Sequence, residues 1–175
     1  INGTDPKAEN LEIKYLIDKM KNDMGLESYP KIFLLTEILS SEQVHSLHYT
    51  GNAFIALHRS EGWGLPLMEA MAAGNPTIAT NFSGNLEFMN GDNSYLVDYQ
   101  MTPVSGMSTN QHWKTLYKGD QDWAEVNIVE ARQVMRQVYE NNASALLMGL
   151  KARKSIQEKF SSAKVAQLIL ETLNV

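Results

Sequence analysis

Residues 60–70 read Ser60-Glu61-Gly62-Trp63-Gly64-Leu65-Pro66-Leu67-Met68-Glu69-Ala70, and this stretch decides the fold. The apolar run before it, residues 53–57, has the length of a strand, and residues 65–73 have the composition of a helix. Gly62 and Gly64 therefore lie in a strand-to-helix turn, where backbone amides gather at the start of a helix. Because such amides and the positive end of the helix dipole attract anions, the turn predicts a phosphate-binding site.

Two carboxylates flank this turn. Glu61 lies in the loop before the helix, and Glu69 lies about one turn inside it. Because helical side chains lean toward the N-terminus, Glu69 can reach back to the same end of the helix. A carboxylate beside an anion site needs hydroxyl groups from which to accept hydrogen bonds, and a sugar nucleotide carries hydroxyls on both sides of its diphosphate. The turn therefore predicts a ligand that has phosphates and hydroxyls together.

Strands and helices alternate on both sides of the turn. Apolar runs of strand length occur at residues 31–36, 53–57, 76–80 and 94–97. Helical patterns occur at residues 6–24, 40–50, 65–73, 84–89, 143–160 and 162–173. This order predicts an α/β, Rossmann-like fold, in which a parallel sheet of at least four strands has helices on both faces and a helical segment forms the C-terminal part.

Two groups of residues resemble metal ligands but are better explained otherwise. Residues 99–122 show little regular pattern, and Asp120-Gln121-Asp122 at their end could hold a divalent cation. Asp122 with Glu125 instead forms a capping box for a helix through residue 139, and this interpretation is favoured because no strand precedes the pair. His45 and His48 lie one helical turn apart without a visible third ligand, which favours structural roles. We therefore expect no metal.

Composition limits the function further. Of the 175 residues, 43% are hydrophobic and 20% are charged, which is ordinary for one soluble domain. The chain has no cysteine, which excludes disulfides and thiolate metal sites, and its net charge of −5 argues against nucleic-acid binding. We find no signal peptide or membrane-spanning run and expect a cytoplasmic protein. The basic run Lys151, Arg153, Lys154 and Lys159 is either a solvated helix face or a weak contact for an anionic membrane surface.

Ligands of parallel sheets bind beyond the carboxyl ends of the strands, which here precede loops 37–40, 58–64 and 81–85. His58 follows the central strand and has either a ligand-side or a packing role. Ser83-Gly84-Asn85 either shapes a turn or contacts the ligand. Trp63 either stacks on a ring or fills the space beneath the turn. The residues alone leave these alternatives open.

The chain resembles a known family. Glu61 and Glu69, with seven residues between them, occur with the Gly-Trp-Gly-Leu-Pro core and are followed by Ala70-Met71-Ala72-Ala73-Gly74. Further matches are residues 75–80, 83–85, 93–97 and 123–125. Together they are similar to the donor-binding domain of retaining GT-B glycosyltransferases of the E-x7-E type, glycosyl transferases group 1.

This resemblance implies one donor nucleotide-sugar-binding domain over residues 1–175. The family's domain opens with a central strand and a loop whose Arg and Lys grip the diphosphate, and neither precedes Ile1. We therefore expect a domain that is incomplete at its N-terminus and lacks the acceptor domain. Such a chain should self-associate through exposed apolar edges or have low stability, and it should be inactive alone.

The resemblance also implies a function: transfer of a hexose from a nucleoside diphosphate sugar to a glycan or lipid-linked acceptor, without cofactor or metal. It assigns Glu61 to the transferred sugar and Glu69 to the ribose. The remaining candidate ligand contacts are Glu37, Ile38 and Ser40 for the base, and His58, Ser60, Gly62, Trp63, Gly64, Leu65, Ser83, Gly84 and Asn85. The alternatives are a non-catalytic nucleotide-binding or assembly module and a GT-B-type sugar epimerase.

Overall fold

A parallel sheet forms the centre of residues 41–175. The computed structural model describes residues 6–25, 27–105, 117 and 120–173, and within them the sheet has three strands: β1 (Phe54–Ala56), β2 (Thr77–Thr80) and β3 (Tyr95–Val97). β2 is the middle strand and pairs in parallel with both neighbours, so Ile78 lies opposite Ile55 on one side and Tyr95 on the other. The α/β fold with a parallel sheet is thereby confirmed, with three strands in place of the four expected.

Residues 1–40 form a compact unit separate from residues 41–175. In this first unit, helix α1 (Pro6–Met24) has the predicted bounds. Residues 31–36, all of them described, form no strand, and their side chains, such as Phe33, are exposed. The strand prediction is wrong here because an apolar run becomes a strand only where its backbone groups pair with a neighbour.

Helices flank the sheet of the second unit. In the described residues they are α2 (Ser41–Thr50), α3 (Leu65–Ala73), α4 (Ile128–Glu140), α5 (Asn142–Phe160) and α6 (Ser162–Leu173), and a short 3-10 turn, Gly84–Glu87, follows β2. The helical C-terminal segment is confirmed. The basic run lies exposed on α5, where Lys154 is 3.8 Å from Glu158. Among the residues that the structure describes, none of the helices combines the length and the apolar character needed to cross a membrane.

The two faces of the sheet belong to two separate cores, because side chains alternate along a strand. On one face Ala79 packs in a cluster with Leu67 and Met71 of α3. On the other face Ile78 packs with Val138 of α4. Because both faces are covered by helices, ligand access to the sheet is restricted to the ends of its strands.

An antiparallel hairpin follows the sheet. β4 (Tyr99–Pro103) pairs with β5 (Asp122–Val126), and Ala124 of β5 is fully buried. The capping-box prediction for Asp122 is therefore wrong, since this residue lies in a strand and α4 begins later. The N-cap of α4 is Asn127, whose side chain accepts a hydrogen bond from the Glu130 amide.

Candidate functional site

The turn between β1 and α3 has the conformation that its glycines predict. Gly64 is the N-cap of α3 and has a left-handed backbone, with φ of +94° and ψ of +47°. A Cβ at this position would also lie 3.1 Å from Cδ1 of Leu67. By contrast, a Cβ on Gly62 would have no neighbour within 4 Å, so the protein's own packing does not require a glycine there. The space beside Gly62 is open for a ligand to approach the backbone.

The loop after β2 lies directly against this turn. Ser83 Oγ donates to the carbonyl oxygen of Glu61 at 2.6 Å, and the amide of Gly84 donates to the same oxygen at 3.0 Å. A Cβ on Gly84 would lie 2.1 Å from the carbonyl oxygen of Gly62, so only glycine permits the approach. The structure therefore brings together two loops that the sequence places about 20 residues apart, at the carboxyl ends of adjacent strands.

Ser83 has a strained backbone. Its φ of +80° and ψ of −154° fall in a region that is nearly exclusive to glycine. It is the sole non-glycine residue with positive φ in the described chain. Such strain costs about 1–3 kcal/mol and is found mainly at functional sites, where surrounding contacts hold it in place. The hydrogen bonds to Glu61 are those contacts.

Asn85 follows Ser83 and Gly84 and connects the same turn to the sheet. Its side chain is fully buried, and its amide nitrogen donates to the carbonyl oxygen of Thr80 at the end of β2, at 3.1 Å. Asn85 Oδ1 has no hydrogen-bond partner among the described residues. Asn85 thus has the structural role expected of a residue that shapes a turn. A ligand contact by its side chain stays a prediction.

His58 lies at the carboxyl end of β1 beside Glu61. Its carbonyl oxygen accepts a 2.6 Å hydrogen bond from Thr80 Oγ1, which joins β1 to β2. Both ring nitrogens are buried and have no hydrogen-bond partner among the described residues. Burial lowers the pKa of His58 below its ordinary value of 6.5, while the neighbouring Glu61 carboxylate acts in the opposite direction. A neutral imidazole with unmet hydrogen-bonding capacity therefore lies next to Glu61.

Trp63 packs beneath the turn. Its ring lies 5.8 Å from that of Phe88 and 6.0 Å from that of Phe160, measured between ring centroids. The residue remains 39% exposed, so part of the indole still faces solvent. The packing interpretation of Trp63 therefore has support in these contacts. Stacking on a ligand ring stays a prediction.

Glu69 lies on α3 beside α2. Its carboxylate is 3.8 Å from Nε2 of His48, which is buried against the ring of Phe54. A small cavity of about 140 Å³ adjoins the pair and is also lined by His45 and Tyr49. The Glu69 side chain is 43% exposed and remains accessible to solvent. Its assignment to ribose hydroxyls stays a prediction.

The remaining candidates are distributed as follows. Ser60 and Leu65 are exposed on either side of the Gly62–Gly64 turn. Glu37, Ile38 and Ser40 belong to the first unit, in which Ile38 is fully exposed, and their contact with a base stays a prediction. Within the described ranges, 6–25, 27–105, 117 and 120–173, no three His, Asp or Glu side chains converge as metal ligands.

One cluster beside the site was missed by the sequence analysis. Arg59 forms a two-pronged ion pair with Glu125, and its guanidinium lies 4.0 Å from the ring centroid of Trp123. A cavity of about 510 Å³ lies nearby, lined by residues of the β4–β5 hairpin that include Tyr99 and Glu125, and by Asp98 directly before β4. The alternation of polar and apolar residues in Asp122–Val126 was the available signal for a strand at this point.

The fold and site together define a class. The chain is an α/β domain with parallel strands covered by helices. It has a glycine-rich turn at a helix start and polar loops beyond the ends of the strands. Domains of this class bind ligands at the carboxyl edge of the sheet. Residues 19–101 match the family model of glycosyl transferases group 1. The match covers slightly less than half of the chain. A sequence search of curated proteins finds no match.

Solved structures support the same fold. The chain is similar to Anabaena HepE in complex with UDP and glucose, with a TM-score of 0.59 and 19% identity over 95% of this chain. The HepE complex with UDP-glucose gives a TM-score of 0.55, also at 19% identity and 95% coverage. A GtfA/B complex gives 0.51, at 17% identity over 90% of this chain. The chain spans 37% of the HepE chain and 27% of the GtfA/B chain. The chain thus shares its fold with part of each of these proteins.

Proposed function

We propose that the chain is the donor-binding part of a retaining glycosyltransferase, which transfers a hexose from a nucleoside diphosphate sugar to a glycan or lipid-linked acceptor. The observation that carries this proposal is the joining of the Glu61–Gly62 loop to the Ser83–Gly84 turn at the start of α3. There, the amides at the start of α3, which as a rule have no partner within the helix, suit a diphosphate, and the adjacent carboxylate suits sugar hydroxyls. UDP is the first nucleotide to test, since HepE was crystallised with UDP and with UDP-glucose.

In this proposal different residues bind different parts of the donor. The amides from Gly62 to Leu65 face the diphosphate and sugar, Glu61 contacts the transferred sugar, and Glu69 accepts from the ribose hydroxyls. The bond between the anomeric carbon and the diphosphate oxygen breaks, and an acceptor hydroxyl oxygen bonds to the same face of that carbon. The acceptor proton passes to the leaving diphosphate, so no residue need act as a covalent nucleophile. Glu61 stabilises the positive charge that develops on the sugar.

The test uses the complete protein with UDP-sugars and a panel of glycan and lipid-linked acceptors. A transferase releases free UDP in proportion to glycosylated acceptor and only when acceptor is present, and NMR of the product gives the anomeric configuration. An epimerase would instead convert the sugar without any acceptor. Nucleotide binding without turnover of any UDP-sugar would leave a binding or assembly module. Either of the last two results would overturn the proposal.

A further inference from the structure

Arg59 lies two residues before Glu61 in the loop that follows β1, and its side chain is held by the β4–β5 hairpin. Arg59 Nε donates to Glu125 Oε2 at 2.8 Å and Nη2 donates to Oε1 at 3.1 Å. The guanidinium also lies over the ring of Trp123, 4.0 Å from its centroid. A planar guanidinium is suited to this combination of a two-pronged carboxylate pair and an aromatic stack.

The backbone makes a third connection at the same point. The amide of Ala124, between Trp123 and Glu125, donates to the carbonyl oxygen of Arg59 at 3.0 Å. Ala124 is fully buried and lies opposite Met101 of β4, so β5 is fixed by its own partner strand. The hairpin therefore holds Arg59 through its backbone, its charge and its guanidinium face.

The backbone around Glu61 is consequently held at two positions. The Ser83–Gly84 turn holds the carbonyl oxygen of Glu61, at 2.6 and 3.0 Å. The hairpin holds the carbonyl oxygen of Arg59, two residues earlier, at 3.0 Å. Between these anchors the chain has little freedom to shift. This is what a carboxylate needs if it must stay aligned with a reacting sugar.

We propose that Arg59, Trp123 and Glu125 are positioning residues that set Glu61 for sugar transfer. The proposal rests on the proposed function of Glu61. Ion pairs at the surface contribute little to stability, and the side chains of Arg59 and Glu125 are 51% and 39% exposed. The cluster therefore acts on the position of the loop and contributes little to the free energy of unfolding. Because Glu125 already engages the guanidinium fork, Arg59 is not free to grip a ligand phosphate in the same way.

The experiment compares Arg59→Lys, Glu125→Gln and the double variant in the complete protein. Arg59→Lys keeps the charge and loses the fork, while Glu125→Gln keeps the shape and loses the charge. Each single variant should lower kcat by about tenfold to a hundredfold while the Kd for UDP and the KM for the donor change little. The double variant should be no worse than the single ones, since both break one unit. In hydrogen exchange, the amides of Gly84 and Ala124, which donate to the carbonyl oxygens of Glu61 and Arg59, should exchange faster in all three.

A matched control is available on α4, where Arg136 and Glu140 form an exposed pair at 3.9 Å. Arg136→Lys and Glu140→Gln should leave kcat and exchange at the Gly84 and Ala124 amides unchanged. Loss of UDP affinity in Arg59→Lys but not in Glu125→Gln would make Arg59 a ligand contact and overturn the proposal. Unchanged kcat and exchange in both variants would overturn it too. If the wild type transfers no sugar, the proposed function fails, whereas the exchange measurement still decides whether the hairpin anchors the loop.

Discussion

The hydroxyl of Ser83 donates a 2.6 Å hydrogen bond to the carbonyl oxygen of Glu61, and this bond joins the loops that follow β1 and β2. Ser83 makes it from a backbone conformation that non-glycine residues rarely adopt, at φ of +80°. The strain is thus maintained by contacts to the residue that we assign to the sugar. Stability and alignment of the site are coupled at this position.

Substitution of Ser83 separates the strain from the hydrogen bond. Ser83→Ala removes the hydroxyl and retains the strain, whereas Ser83→Gly removes both. We expect Ser83→Ala to be less stable than Ser83→Gly by about 1 kcal/mol, because strain of about 1–3 kcal/mol is only partly offset by the entropy that glycine adds to the unfolded chain. The denaturation midpoints of the two variants measure the difference. Equal stability would mean that the backbone at Ser83 is not strained.

Gly62 and Gly64 should respond differently to alanine. Gly64→Ala places a Cβ at φ of +94° and 3.1 Å from Leu67, so it should cost about 1–2 kcal/mol of stability. Gly62→Ala meets no protein atom within 4 Å and should change stability by less than about 0.5 kcal/mol. If the space beside Gly62 receives the donor, Gly62→Ala should nevertheless weaken UDP-glucose binding. Thermal melting and calorimetry test both parts, and unchanged binding in a well-folded Gly62→Ala would remove the donor from this surface.

His58 should report on the charge of Glu61. Burial lowers the pKa of His58 below 6.5 and the Glu61 carboxylate raises it, so Glu61→Gln should lower the pKa further. The imidazole of His58 binds a proton more tightly in the unfolded state than in the folded state. The free energy of unfolding therefore decreases as the pH falls through about 6.5, and this decrease levels off below the pKa of His58 in the folded state. NMR titration of the imidazole, assigned by its absence in His58→Gln, measures the shift. A pKa that rises in Glu61→Gln would contradict this electrostatic account.

Local signals predicted the β1–α3–β2 unit and its loops. The glycines at residues 62 and 64, the Pro at residue 66 and the apolar run of β2 each act within a few residues of their own position, so the sequence alone places them. The sequence also predicted that the loops carrying Ser83 and Glu61 lie close together, because parallel strands bring their carboxyl ends to one edge of the sheet. The strain at Ser83 left no signal in the sequence.

Features that depend on distant partners were missed. Asp122-Trp123-Ala124-Glu125 fits both a helix cap and a strand, and the pairing of β5 with β4, about 20 residues earlier, decides for the strand. Arg59 and Glu125 are 66 residues apart, so their ion pair could not be read from either neighbourhood. Residues 31–36 have strand composition without a partner strand in the described chain. In each case a long-range contact, or its absence, outweighs local propensity.

Glu69→Gln should weaken nucleotide binding in general. The Glu69 carboxylate lies 3.8 Å from His48 Nε2. Because the Glu69 side chain is 43% exposed, its carboxylate is accessible to ribose hydroxyls. The ribose does not change during the reaction, and loss of a charged acceptor should therefore cost UDP and UDP-sugar alike about 1.5–3 kcal/mol. Calorimetry with both ligands measures the two affinities. A loss confined to the UDP-sugar would place Glu69 at the sugar instead.

Glu61→Gln should have the opposite profile. We assign Glu61 to the sugar, where its charge matters most as positive charge develops in the transition state. The affinity for bare UDP should then be nearly unchanged, while kcat falls by at least about a hundredfold, or about 2.7 kcal/mol of barrier. Glu69→Gln serves as the matched control, since it is the same chemical change at the other carboxylate that we assign to the donor. Calorimetry and steady-state kinetics in the complete protein decide between the roles. Equal loss of UDP affinity in both variants would show that the two carboxylates contact the same part of the donor.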